Sequence, residues 1–110
     1  PRPHPVMNKT YTATEIETKR ENLQQTIKGL QEEEACKVLR LFVLQSSGVV
    51  RYESYWQRCS LTCEGLTIVC HAPSRFVQDS IDAELSQRTD HLLFLAPYGL
   101  RDVKAEWKHV

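Results

Sequence analysis

The fold of this chain turns on one stretch, Leu66-Thr67-Ile68-Val69-Cys70-His71-Ala72-Pro73-Ser74-Arg75-Phe76-Val77-Gln78-Asp79-Ser80-Ile81. Leu66 to His71 is rich in β-branched and apolar residues, the composition of a strand. Ser60 to Glu64 has the same character, and the tight Glu64-Gly65 turn between the two runs predicts a hairpin. Pro73-Ser74 then stops the strand and opens a helix, because proline cannot donate to the sheet but suits a helix start. In that helix Phe76 or Val77, with Ile81 and Leu85, forms an apolar stripe opposite Gln78, Asp82 and Arg88. Residues 90–95 extend it or form a short helix of their own, before Ala96-Pro97-Tyr98-Gly99 breaks the pattern. Val103, Ala105, Trp107 and His109 alternate with Lys104, Glu106 and Lys108, which predicts a half-buried closing strand with Trp107 inward.

Upstream, Thr12 and Glu15 are spaced as a capping box before a segment rich in Glu, Lys, Gln and Leu. Ile16, Leu23, Ile27 and Leu30 share a stripe, but Gly29 in mid-helix predicts a joint that divides the segment in two. The first piece reads as peripheral. The second, over residues 31–44, turns Ala35, Val38, Leu39, Phe42 and Leu41 towards a core. Ser46-Ser47-Gly48 ends it, and Tyr52, Tyr55 and Trp56 then share one face of a short helix ending near Arg58. The expected fold is α+β, a small three-stranded sheet with helices on one face in the order α-α-β-β-α-(α)-β, preceded by an extra N-terminal helix.

A length of 110 residues fits one domain. Residues 1–11, with prolines at positions 1, 3 and 5, read as a disordered or expression-derived tail, residues 12–30 as a helical extension and residues 31–110 as the interaction domain. The 14 basic and 14 acidic residues cancel, so no global field drives the chain towards nucleic acid or an anionic membrane. No apolar run approaches a membrane span and no secretion-signal pattern opens the sequence, so a cytoplasmic protein with no membrane partner is expected. The four cysteines, Cys36, Cys59, Cys63 and Cys70, are then expected as reduced thiols.

Catalytic signatures are missing from the sequence. Gly29, Gly48, Gly65 and Gly99 are isolated, so no glycine-rich phosphate loop forms, and neither GxSxG nor HExxH occurs. Cys59, Cys63, Cys70 and His71 are the nearest approach to a zinc set. Adjacent Cys70 and His71 on a strand point to opposite faces, so neither metal nor cofactor is expected. His4, His91 and His109 are scattered and read as surface or strand-end residues. Glu32-Glu33-Glu34 reads as the solvated first turn of a helix.

The strand-to-helix segment, with Ala72-Pro73-Ser74-Arg75-Phe76-Val77 at its centre, resembles the N-terminal domain of the bacterial replication initiator DnaA, which runs a strand into Ala-Pro-Asn-Arg-Phe-Val and then a helix. Tyr52 and Tyr55 stand where that family has an aromatic pair before its hairpin, and the resemblance spans residues 35–110. It implies a KH-like fold without the GxxG loop, and a non-catalytic docking platform for the replicative helicase or replication regulators. A homodimer is a further implied partner; apart from the resemblance, Tyr52, Tyr55, Trp56 and Trp107 as stacking rings leave weak single-stranded DNA contact as a secondary expectation. Carried over by position, Phe76 becomes the leading partner-binding residue, with Arg75, Arg51 and Tyr52 around it. Two departures are plain: Arg51 replaces an acidic contact residue of the family, and Ser80 a bulky aromatic. The alternatives are the polymerase-binding C-terminal domain of a clamp-loader tau subunit, which shares the fold, and a single-strand binder using Arg51, Arg58 and Arg75 beside exposed aromatics.

Overall fold

Thr12 and Glu15 close the predicted capping box, the Thr12 N–H donating to Glu15 Oε1 at 2.8 Å and the Glu15 N–H to Thr12 Oγ1 at 3.1 Å. The computed structural model describes residues 11–108. Residues 1–10 of the expected tail, with His4, and His109 at the other end lie outside the described residues. Tyr11 belongs to the fold and not to a tail, because its hydroxyl donates to Glu53 Oε1 at 3.2 Å. Helix α1, Ala13–Lys28, stops at Gly29. It corrects the expectation of a peripheral piece, since Leu23 and Ile27 enter the same buried cluster as the rest of the chain. Burying a side chain such as Ile27 contributes about 1.5–3 kcal/mol.

Helix α2, Glu34–Ser47, buries Ala35, Cys36, Leu39, Arg40, Val43 and Leu44. The stripe is rotated from the expected one: Val38, Leu41 and Phe42 are only half-buried. The rotation follows from packing against α1, the next helix and the sheet together, so the buried face is wider than a single stripe. Gly48 ends α2 with φ 96°, a conformation that favours glycine. Helix α3, Val49–Ser54, and a 3-10 turn, Trp56–Arg58, follow.

Strands β1, Ser60–Glu64, and β2, Thr67–His71, form the antiparallel hairpin, in register Leu61 with Cys70 and Cys63 with Ile68. Gly65 opens the two-residue turn with φ 66°, the positive value that such a loop needs at its first position. Helix α4, Arg75–Gln87, and the separate short α5, His91–Leu95, carry the chain to β3, Asp102–Glu106. β3 pairs with β2 in parallel, Ile68 opposite Val103 and Cys70 opposite Ala105, so the first strand in sequence and the last flank the central one. Leu61, Cys63, Ile68, Cys70, Val103 and Ala105 thus share the face that meets the helices. α2 lies against β1 and α4 against β3.

Two further expectations are corrected. Trp107 stands beyond the end of β3 and is half-buried, not the inward residue of the strand. His91, expected at the surface, is buried at the start of α5, its ring 6.5 Å from that of Phe42. Among the described residues the chain is α+β, with five α-helices and a three-stranded mixed sheet, and no helix is long and apolar enough to cross a membrane.

Candidate docking surface

The start of α4 is set by two residues. Ser74 caps it, its Oγ accepting the Val77 N–H at 3.2 Å, and the extended backbone at Ser74 turns the chain out of the sheet. Val77 and Ile81 are then fully buried, which fixes the helix about its axis. Phe76, one position earlier, is forced outward and is 57% exposed.

Phe76 does not stand alone. Its ring lies 5.9 Å from that of Tyr55, tilted by 50°. The Arg51 guanidinium stacks on the same tyrosine, 4.8 Å from the ring centre. Arg51 is tied to α4 by Nε donating to Glu84 Oε1 at 2.7 Å and by Nη2 donating to the Ser80 carbonyl at 3.0 Å. Glu84 also accepts from Trp56 Nε1 at 3.0 Å and from the Ser47 hydroxyl. Burial pushes this carboxyl upward, but the hydrogen bonds from Ser47, Trp56 and Arg51 outweigh it and hold the pKa below the usual glutamate value. The result is a rigid floor under an exposed ring, with Arg75 exposed beside it and only loosely paired with Asp79 at 4.0 Å.

Of the residues expected at the partner surface, Phe76, Arg75 and Arg51 share this patch, and Tyr52 does not. Tyr52 is corrected to a core residue: its ring is buried and its hydroxyl accepts from Arg40 Nη1 at 3.3 Å. Arg58 is exposed at the end of the 3-10 turn. Tyr52, Tyr55 and Trp56 are all buried, which leaves Phe76 as the exposed ring beside Arg51 and Arg75.

Sequence reasoning missed a second centre, built on Arg40. This guanidinium is buried in α2 and donates from Nε and Nη2 to both oxygens of Glu32 at 2.7 and 2.6 Å. It also donates to the Trp56 carbonyl at 3.0 Å and the Cys59 carbonyl at 2.7 Å. Glu32 accepts the Leu61 N–H at 3.1 Å as well, which corrects its reading as part of a solvated first turn. Burial alone would raise the Glu32 carboxyl, yet the Arg40 and Leu61 donors hold it below the ordinary range. The cluster opens on a cleft of about 370 Å³ between α1 and the β1 end, lined by Leu23, Ile27, Tyr52 and Gln57. With Tyr52 included, Arg40 makes five hydrogen bonds, as many as a guanidinium has N–H donors, so the cleft offers an incoming anion no free donor from it. The arrangement is structural.

The zinc set does not assemble. Cys70 faces the helices, whereas His71 on the opposite face meets Thr62 Oγ1 at 2.8 Å, and no group of three or more ligand side chains converges among the described residues. One more exposed apolar patch lies on α5, where Phe94 packs 5.0 Å from Phe42 and Leu93 projects into solvent.

Compared with known proteins, the chain matches no family model, no curated protein and no solved structure.

Proposed function

We propose that this chain is a non-catalytic protein–protein interaction module of a DNA replication initiator, with a KH-like fold, that docks the replicative helicase through Phe76. The observation that carries the reading is the outward Phe76 on a floor of Tyr55 and Arg51, beside exposed Arg75. An aromatic side chain with arginines at its rim has the composition of an interface hot spot. Support also comes from the resemblance of the strand-to-helix segment around Ala72-Pro73-Ser74-Arg75-Phe76-Val77 to the DnaA N-terminal domain. Because Phe76 is exposed, its truncation leaves no core cavity, and binding and stability become separable.

Isothermal titration of the chain against the replicative helicase of its host tests the proposal. Phe76→Ala should weaken binding about tenfold or more, equivalent to about 1.4 kcal/mol or above, with an unchanged melting curve. Wild-type protein that binds a replication regulator but not the helicase would move the function to that partner. Equal affinity of variant and wild type would remove Phe76 from the interface.

A further inference from the structure

Cys36 and Cys63 come from different layers of the fold, yet their Sγ atoms are 3.8 Å apart, in van der Waals contact. Cys36 sits in the first turn of α2 and is fully buried; Cys63 faces it from β1 and is half-buried. Cys63 also lines an open groove with Glu33, Gly65, Tyr98 and Leu100, which gives a small oxidant an approach to this residue from solvent. The other two thiols differ in both respects. Cys59 is buried with its Sγ on the Tyr55 carbonyl at 3.5 Å, and Cys70 is fully buried in the central strand. Access therefore selects Cys63, and proximity selects Cys36 as its partner.

We propose that Cys36 and Cys63 form an oxidative modification site, which closes to an intramolecular disulfide and locks the first turn of α2 onto β1. The oxidant is a hydroperoxide. The Cys63 sulfur takes one peroxide oxygen, giving a sulfenic acid and, from hydrogen peroxide, one water. The Cys36 sulfur then attacks the Cys63 sulfur, the S–O bond breaks, and the departing hydroxide takes the Cys36 proton as a second water. Two thiols and one peroxide become one disulfide and two waters. Burial, the contact with Cys63 and the nearby carboxylates push the Cys36 thiol up to about 12, and burial also raises Cys63. Both thiols are thus held protonated near neutrality, so the bridge forms slowly there and faster in alkali. The site answers sustained oxidation and not a brief pulse.

The test is exposure of the purified chain to excess hydrogen peroxide at about pH 8.5, followed by alkylation and peptide mapping; thiolate supply rises with pH in this range. The expected product is monomeric, lighter by two hydrogens, and yields a Cys36–Cys63 linked peptide. Closing a loop across 27 residues should raise Tm by about 10 °C or more, and dithiothreitol should reverse both changes. Cys63→Ser, a near-isosteric change at a half-buried position, should fold normally and lose the product. Four free thiols after exposure, a Cys59–Cys70 link, disulfide-bonded dimers, or Cys63 carried to sulfinic acid beside a free Cys36 would each overturn the proposal.

Discussion

Arg40 with Glu32 and Arg51 with Glu84 are the same chemical pair in opposite settings. In the first, the Arg40 side chain is 3% exposed and that of Glu32 12%; in the second, the Arg51 side chain is 36% exposed and that of Glu84 11%. The buried member of the first pair that depends most on its partner is the cation. Its other acceptors, Tyr52 and two backbone carbonyls, are neutral, so Glu32 alone balances its charge in the core. The buried member of the second pair is the anion, and Glu84 keeps Ser47 and Trp56 as donors even without Arg51. One pair is a cross-link inside the molecule. The other is a brace beneath a surface, and it leaves one face of Arg51 available to Tyr55.

This contrast orders the expected effects. Glu32→Gln should be the most damaging, because it strands a buried guanidinium without a counter-charge, at a cost of about 3–5 kcal/mol. Urea unfolding measures it, and a loss below about 1 kcal/mol would mean that the neutral acceptors suffice. Glu84→Ala should cost about 1–3 kcal/mol, since it leaves the Trp56 indole N–H without its acceptor while Arg51 turns to water. A cost equal to that of Glu32→Gln would erase the distinction between cross-link and brace.

Acid should act on both pairs and on His91, in two stages. Burial lowers the pKa of His91 in the folded chain, with Arg88 adding to the effect against Asp90. Its unfolded form therefore binds a proton first, and stability falls as pH drops from about 6.5 towards the folded value. Glu32 and Glu84 are depressed when folded, so their contribution is complete above the unfolded value of about 4.3 and is lost as pH falls through the folded values. Each group changes stability by at most about 1.4 kcal/mol per pH unit. Calorimetric melting from pH 8 to 3 should show the midpoint decline in these two steps. His91→Phe should remove the upper step and leave the lower one, and a single decline near pH 4 in the wild type would show that His91 is not coupled to folding.

The parts of the fold that sequence alone disclosed are those written locally. The capping box at Thr12, the turn glycine at Gly65 and the Pro73-Ser74 helix start are each complete within a few residues. They placed the hairpin and α4, and with α4 the choice between Phe76 and Val77 that its rotation settles. The Arg40 centre could not be read this way. Its carboxylate is eight residues upstream, in the link before α2, and its three other acceptors come from residues 52–59, including two backbone carbonyls, which carry no side-chain signature. Tyr52 was misplaced for the same reason, because its hydroxyl finds its partner inside the core. Alternation carried Trp107 one step too far: periodicity marks a face, but the pairing with β2 ends at Glu106.

The parallel pairing of β3 with β2 has a consequence for synthesis. While the ribosome has released only the hairpin and α4, β2 has a neighbour on one side, and two strands without a third hold together poorly in water. The missing neighbour arrives only with residues 102–106, after the whole crossover has emerged. Until then the open edge of β2 presents unpaired amides and carbonyls beside Ile68 and Cys70, a template on which another nascent chain can pair. Within this fold the sheet is completed only after the hairpin, α4 and the crossover are made, and the interval before that is when the segment is most exposed to aggregation.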